Sequence, residues 1–162
     1  MSADVLLAID QGTSSSRAIA FSAAGRMLAA EQQSFEQIYP APGWVEHDAE
    51  VIWATVLSTS RQLVQRLRDT GAAVAAVGIT NQRETTVLWD RRSGAPIYNA
   101  IVWQDRRTAE RCRELKRANA EVELRHKTGL VLDPYFSATK IAWILDRVPG
   151  ARDAARIGRA HV

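Results

Sequence analysis

The chain has 162 residues, of which 46% are hydrophobic and 24% charged, and this composition suits one globular domain with a sizeable core. Its 21 basic and 18 acidic residues are mixed and leave a net charge of +3, which argues against a nucleic-acid-binding protein. The single cysteine, Cys112, excludes an internal disulfide and a cysteine-based metal site. Because no stretch approaches the roughly 18 apolar residues of a membrane span and no secretory signal is apparent, we expect a cytoplasmic protein without a membrane span.

Between two short apolar runs near the N-terminus lies a loop of small and polar residues, Asp10–Arg17. Such a loop favours phosphate binding: Gly12 permits a close backbone approach and unusual backbone angles, and hydroxyl and N–H donors can surround anionic oxygens. These donors belong to Thr13, Ser14, Ser15 and Ser16. Asp10 could hold a hydrated Mg²⁺, and Arg17 could contact phosphate through its guanidinium. Ordinary hairpin turns use the same residue types, so the loop alone leaves both interpretations open.

Apolar runs separated by short turns predict an α/β domain with a mixed sheet. Three strands should form an antiparallel meander, and the first is apolar throughout and therefore predicted to be buried on both faces. Asp48 is a suitable N-cap for a long helix that ends at Gly71, and a buried strand, Val74–Thr80, follows. The three strands are predicted at Val5–Ile9, Arg17–Ser22 and Met27–Phe35, and the core-facing residues of the helix are predicted to be Ile52, Val56, Leu63 and Leu67.

The second half of the chain predicts extended segments followed by helices. Thr85–Trp89 and Pro96–Trp103 have strand character, and Asp105 is the predicted N-cap of a helix whose basic and acidic residues alternate and face solvent. Ser137 is the predicted N-cap of a last helix with one apolar face, and no element is predicted in the tail, Ala151–Val162. The two helical tryptophans, Trp53 and Trp143, are predicted to be packing residues.

Two ionisable residues, Arg83 and Glu84, follow the predicted buried strand, and strand ends of this kind bind ligands in open α/β sheets. Together they offer the donors and acceptors that a small polyol needs, because each hydroxyl both donates and accepts. A surface ion pair is the other interpretation. Trp103 could pack against the C–H side of a carbohydrate and Tyr135 could bind a ligand hydroxyl, but both are also typical of packing residues.

Taken together, these stretches resemble the glycerol kinase family, within the carbohydrate kinases that share the actin-like ATPase fold. The resemblance runs from about residue 5 to about residue 156. It is specific, because other sugar kinases share the first loop but not Asn81–Thr85 and Asp133–Ser137. The matching stretches are Asp10–Arg17, Phe35–Pro40, Pro42–Asp48, Gly78–Thr86, Ile97–Gln104 and Thr128–Ser137.

The resemblance implies ATP-dependent phosphorylation of glycerol to sn-glycerol 3-phosphate, with ATP and Mg²⁺ as cofactors. Asp10 would lie beside Mg²⁺ and the phosphates, with Thr13 nearest the transferred group. The nucleotide's phosphates would be contacted by the loop residues Gly12, Thr13, Ser14, Ser15 and Arg17. Glycerol would be bound by Arg83, Glu84, Trp103 and Tyr135. Full-length members of the family are expected to form homo-oligomers.

Measured against that family, the chain is expected to be an incomplete N-terminal domain. Residues 1–156 would form this partial domain, residues 157–162 a divergent tail, and the C-terminal domain would be absent. The resemblance places the general base, an aspartate, and the adenosine-binding surface in the absent part. We therefore expect a chain that is inactive alone and exposes apolar surface that is normally covered. The alternative is a non-catalytic fragment that binds glycerol or a protein partner weakly.

Overall fold

A computed structural model of the chain describes residues 4–156 together with the backbone of residues 160 and 161. The chain forms two compact units, one made of residues 4–37 and 50–82 and the other of residues 38–49 and the chain from residue 83 onward. The predicted divergent tail, residues 157–162, therefore lies outside the described residues except for this two-residue backbone. No helix within the described ranges is long and apolar enough to cross a membrane.

The described chain begins with strands, continues with one long helix, and then has more strands followed by helices, which is the order that the sequence predicts in outline. In the described residues they are β1 (Asp4–Gln11), β2 (Ser15–Ser22), β3 (Met27–Ser34), β4 (Glu46–His47), α1 (Ala49–Asp69), β5 (Ala73–Thr80), β6 (Trp89–Asp90), β7 (Ala100–Ile101), α2 (Ala109–Arg117), α3 (Ala120–Thr128), α4 (Ser137–Arg147), α5 (Ala151–Arg156) and β8 (Ala160–His161).

The first unit is built on a four-stranded mixed sheet in the order β3-β2-β1-β5. β1, β2 and β3 pair antiparallel, which confirms the predicted meander, and β5 pairs parallel with β1 after the helical crossover α1. Crossover connections of this length are what parallel pairing requires. The mixed sheet predicted from the sequence is therefore confirmed.

Only one face of this sheet is covered by α1. Val5, Leu7 and the small residues Ala18 and Ala20 pack there with Leu63 and Leu67 of the helix. On β1 the alternate residue Leu6 is 45% exposed, so the prediction of burial on both faces was wrong. The prediction of a buried β5 was wrong as well, because every residue of this edge strand is exposed in the described chain.

The buried side of α1 differs from the predicted stripe in its N-terminal half. Thr55 and Thr59 are buried there in line with Leu63 and Leu67, whereas Ile52 and Val56 are only partly buried. Buried threonines are tolerated because each hydroxyl donates to a carbonyl one turn earlier, Thr55 Oγ1 to Ile52 O and Thr59 Oγ1 to Thr55 O, both at 2.9 Å.

The end of α1 follows the prediction, whereas the tryptophan of this helix does not. Gly71 adopts a φ of +74°, and its N–H and that of Ala72 donate to carbonyls of the last turn, which ends the helix. Trp53 is 58% exposed, so it is not the packing residue that the sequence suggested.

In the described residues, the second unit contains short strand pairs and four helices. β4 pairs antiparallel with β7 and β6 with β8, while the predicted strand Thr85–Trp89 is reduced to β6 and an isolated bridge from Thr86 to Ile101. The apolar face of α4 is confirmed: Ile144 packs with Leu88 and Ile101 in a second core. The tail after residue 150 forms α5, contrary to the prediction of no further element.

The charged helix α2 begins later than predicted. Its first residue is Ala109, after Thr108, and Asp105 is instead buried and accepts a 2.7 Å hydrogen bond from the Val45 N–H. Its basic residues pair with acids on the exposed face, as the alternating charges predict, through Arg111–Glu114, Arg113–Glu110 and Arg117–Glu110. Cys112 is buried on the opposite side, which supports the structural role expected of it.

Candidate phosphate loop and polyol pocket

The loop predicted to bind phosphate is the hairpin that joins β1 and β2 in the first unit. Asp10 and Arg17 are opposite each other in the antiparallel register, so their side chains lie on the same face. Arg17 Nη2 donates to Asp10 Oδ2 at 2.8 Å, and both side chains are partly exposed. The structure thus places a carboxylate and a guanidinium side by side at the base of the loop.

Gly12 occupies the turn of this hairpin for a different reason from the one expected. Its φ is not positive, so the predicted unusual backbone angle was wrong. Its N–H donates to Ser15 O at 2.9 Å, and an added Cβ would lie 3.2 Å from the same oxygen. Glycine is favoured here because the turn closes tightly on its own backbone.

The loop serines have different environments. Ser15 Oγ accepts from Gln32 Nε2 and Ser16 Oγ is hydrogen-bonded to Thr55 Oγ1, each at 2.9 Å, and both serines are buried. These two hydroxyls tie the loop to the sheet and to α1. Ser14 is exposed at the tip.

The loop backbone is also held by two residues that follow β3. Thr13 O accepts from Gln37 Nε2 at 2.9 Å, and Ser14 O accepts from the Phe35 N–H at 3.3 Å. Two carbonyls of the loop are therefore held by hydrogen bonds from within the first unit.

Three of the four residues predicted to bind a polyol come together in the second unit. The rings of Trp103 and Tyr135 meet edge to face with centroids 6.1 Å apart, and Trp103 remains 36% exposed. The Trp103 N–H is 3.3 Å from Thr85 Oγ1, next to Glu84 in the chain. Arg83 precedes Glu84 and is exposed.

Glu84 is bound to the start of α4 rather than to Arg83. Ser137 donates to Glu84 Oε2 twice, from its N–H at 2.8 Å and from its Oγ at 2.7 Å. The predicted N-cap role of Ser137 was therefore wrong: Phe136 holds the cap position, and the serine hydroxyl binds the carboxylate. The surface ion pair that the sequence left open for Glu84 is not what the structure shows.

A buried lysine that the sequence reasoning missed joins the two loops of this pocket. Lys140 is fully buried, and its Nζ donates to Glu84 O at 2.8 Å and to Tyr135 O at 2.7 Å. Burial lowers the pKa of Lys140 to about 8, although the nearby carboxylates of Glu84, Asp105 and Asp133 oppose this effect. Its position three residues after Ser137, on one face of a helix, was the available sequence signal.

A second missed feature is a buried arginine beneath the segment Gly43–His47. The side chain of Arg107 is fully buried, and its Nη2 donates to Glu46 Oε1 and to Asp105 Oδ2, each at 2.8 Å. Its guanidinium carbon lies 4.0 Å from the ring centroid of Trp44 and 4.6 Å from that of Trp143. Burial alone would lower the pKa of Arg107, but the hydrogen bonds that it donates to its two carboxylate partners outweigh burial and raise this pKa. This network is structural, and it confirms Trp143 as a packing residue.

Within the described residues, no group of three or more metal-binding side chains occurs. The one carboxylate of the phosphate loop, Asp10, is partly exposed and accepts the hydrogen bond from Arg17 at Oδ2. Mg²⁺ is commonly held by one or two carboxylates together with ligand phosphates, so this donor set fits a magnesium ion that arrives with a nucleotide.

Comparison with known proteins relates the whole chain to sugar kinases. Residues 5–160 match the N-terminal domain of the FGGY family of carbohydrate kinases. The glycerol kinase of Burkholderia cenocepacia is 58% identical over 154 residues, which cover 95% of this chain and 31% of that protein. The chain spans about a third of the length of the curated relatives it matches.

Two solved structures have the same fold. The crystal structure of Plasmodium falciparum glycerol kinase with ADP matches at a TM-score of 0.94 and 35% identity, over 98% of this chain and 32% of that one. The xylulose kinase of Rhodospirillum rubrum matches at a TM-score of 0.85 and 23% identity, over 93% of this chain and 31% of that one. At this lower identity the likeness shows the fold alone.

Proposed function

Because the chain belongs to the FGGY family of carbohydrate kinases, we propose that it is part of the N-terminal domain of a kinase that phosphorylates glycerol with ATP. The predicted resemblance and the predicted α/β fold of the actin-like type with a mixed sheet are confirmed. Identity of 58% to glycerol kinases supports the choice of substrate. Since the chain spans about a third of those relatives, we propose that it supplies binding residues without completing the reaction alone.

The observation that carries the proposal is the grouping of Glu84, Trp103 and Tyr135 in the second unit. Two aromatic rings 6.1 Å apart offer apolar surface to the C–H groups of a small polyol. Within the described residues, both hydrogen bonds to the Glu84 carboxylate go to Oε2, which leaves Oε1 to accept from a hydroxyl. Arg83 would add donors to the same ligand.

The hairpin Asp10–Arg17 is the proposed phosphate-binding part. Thr13 and Ser14 at its tip would donate to the phosphate oxygens, with Gly12 allowing the turn and the backbone of Ser15 contributing its N–H. Arg17 would contact phosphate through the guanidinium edge that it does not use on Asp10. Asp10 would hold Mg²⁺, which when bound supplies charge neutralisation of the transferring phosphoryl group.

The proposed reaction is in-line transfer of the γ-phosphoryl group to a terminal hydroxyl of glycerol. Catalysis of this kind consists mostly of positioning and charge stabilisation, to which the loop and the pocket would each contribute. We expect the general base, an aspartate, to lie outside this chain. Glu84 is not proposed as a substitute for it, because the resemblance gives Glu84 a role in binding the substrate.

Glycerol binding by the 162-residue chain tests the proposed pocket. Titration with glycerol should shift the ¹⁵N–¹H resonance of the Trp103 indole and so give a Kd. In Glu84→Gln this Kd should rise about tenfold or more. Glu110→Gln, at an exposed carboxylate on α2, is the matched control and should leave it unchanged. A wild-type chain that shows no response at molar glycerol would contradict the proposal.

The kinase reaction itself is tested by glycerol-dependent release of ADP. We expect no turnover from the 162-residue chain, because the general base and the adenosine surface are expected elsewhere. Turnover that disappears in Arg83→Ala would show instead that this chain completes a site by itself.

A further inference from the structure

The backbone at Glu84 adopts a conformation that side chains other than glycine rarely take. Its φ is +65°, and in the described chain only Asn119 shares this property among residues other than glycine. A left-handed conformation is unfavourable for such a residue and persists only where the surrounding structure holds it. Asparagine tolerates this region well, but glutamate has no such preference, so neighbouring groups must hold Glu84 in place.

Both ends of Glu84 are held from one face of α4. Ser137 binds the side-chain oxygen Oε2 at 2.8 and 2.7 Å, and Lys140 Nζ binds the main-chain oxygen at 2.8 Å. The two residues are three positions apart in the helix, so they lie on the same face. Three hydrogen bonds, each to or from a charged group, therefore fix one residue, and such bonds are stronger than neutral ones.

The same ammonium group also binds the loop that carries the second pocket residue. Lys140 Nζ donates to Tyr135 O at 2.7 Å, so one buried cation joins the main chains of the two loops. The charged and titratable groups around it are Glu84, Asp105, Asp133 and Arg107. Burying an ammonium among these groups is costly, since desolvation opposes the charged form. A methionine of similar length would fill the space without that cost.

We propose that Lys140 and Ser137 are positioning residues for polyol binding: they hold Glu84 in its left-handed conformation, with Oε1 directed to the ligand, and fix the Tyr135 loop beside it. This inference rests on the proposed function and adds two residues to it. Neither residue touches the polyol. Their contribution reaches the ligand through the carboxylate of Glu84 and the ring of Tyr135.

The affinity of the folded chain for glycerol is the first readout. In Lys140→Met the carbonyls of Glu84 and Tyr135 lose their shared donor, and we expect the Kd for glycerol to rise about tenfold or more. Ser137→Ala keeps the N–H bond and loses the hydroxyl bond, so its Kd should rise about threefold to tenfold. Lys127→Met, at an exposed lysine paired with Glu123 on α3, is the control and should leave the Kd unchanged.

The second readout reports Glu84 directly and needs no ligand. The Ser137 N–H donates to a carboxylate, so its proton resonance should lie downfield in the wild-type chain and move upfield in Lys140→Met. Urea unfolding of each variant, measured in parallel, shows which variants are folded, and both readouts are compared only among those. If Lys140→Met does not fold, Ser137→Ala carries the test.

The outcomes separate this inference from the proposed function. A lower unfolding free energy with an unchanged Kd and an unchanged Ser137 resonance would overturn the positioning role, because a merely structural lysine predicts that result. If the wild-type chain binds no glycerol, the proposed function fails for this chain. In that case, a Ser137 N–H resonance that still moves in Lys140→Met would support the inference that Lys140 positions Glu84. A resonance that does not move would overturn this inference.

Discussion

At the scale of single residues, the most consequential side chain outside the proposed sites is Arg107. It is fully buried, paired with two buried carboxylates and packed against Trp44 and Trp143. Removal of one partner from a buried ion pair leaves an uncompensated charge, and here it would leave those of Glu46 and Asp105. The network therefore ties β4 to the segment before α2.

We predict that Arg107→Met lowers the free energy of unfolding by about 3–5 kcal/mol. Urea denaturation of the variant against wild type measures this change. Arg113→Met, at an exposed arginine paired with Glu110, is the control and should change it by no more than about 0.5 kcal/mol. If the two substitutions lower the free energy of unfolding equally, the buried network does not make the stabilising contribution proposed for it.

A second residue-scale prediction concerns His47, which is fully buried in β4. Burial lowers the pKa of His47 from 6.5 to about 4. Between these values the unfolded chain binds a proton that the folded chain does not, so the unfolding free energy falls as the pH falls. We predict a contribution of about 2 kcal/mol to the stability lost between pH 7 and pH 5.

The variant His47→Gln isolates that contribution, because other groups also titrate in this range. Its unfolding free energy should depend less on pH between 7 and 5 than that of the wild-type chain. Parallel pH dependences for the two chains would show that His47 does not cause the loss.

At the scale of elements, α1 supports the sheet that carries the phosphate loop. Leu63 and Leu67 cover Val5, Leu7 and the two alanines of β2, and Thr55 binds Ser16 at the end of the loop. Small residues on β2 let the helix approach closely, and the sheet depends on this one helix for its core in the described chain.

We therefore predict that Leu63→Ala lowers the unfolding free energy of the chain by about 2–5 kcal/mol, because it opens a cavity between α1 and the sheet. Gln62→Ala, at the exposed neighbouring position, is the matched control and should have little effect. Thermal or urea unfolding followed by circular dichroism measures both. A loss under about 1 kcal/mol for Leu63→Ala would contradict this account of the core.

At the scale of the whole molecule, the uncovered side of the first sheet matters most. Val77 and Ile79 on the edge strand β5 are 54% and 75% exposed, and Leu6 on β1 is 45% exposed. Apolar surface is therefore exposed on this side of the sheet, and that a longer chain covers it stays a prediction. Exposed apolar edge strands favour association between chains, because their outer main-chain N–H and C=O groups lack strand partners and their apolar side chains contact water.

We predict that the 162-residue chain associates as its concentration rises and that Ile79→Lys reduces this association. Sedimentation velocity over a concentration series measures it. Because Ile79 is mostly exposed, the substitution should alter the unfolding free energy by about 0.5 kcal/mol or less. Association that is the same in both chains would locate the contact elsewhere.

The sequence by itself determined the strands and the long helix of the first unit, the meander, the end of α1 at Gly71 and the family. These features follow from local signals, namely apolar periodicity, turn residues and motifs that are contiguous in the chain. The same signals identified Glu84, Trp103 and Tyr135 one by one, since each lies in a distinctive stretch of its own.

Only the tertiary structure decided which side chains meet. The hydrogen bonds of Ser137 and Lys140 to Glu84 span more than fifty residues of chain. The hydrogen bond from Arg107 to Glu46 spans 61 residues. Burial was equally non-local: β5 is apolar in sequence, yet whether it is covered depends on what packs on its face. A pattern of residues fixes the preference of a segment, and the packing of distant segments decides how that preference is used.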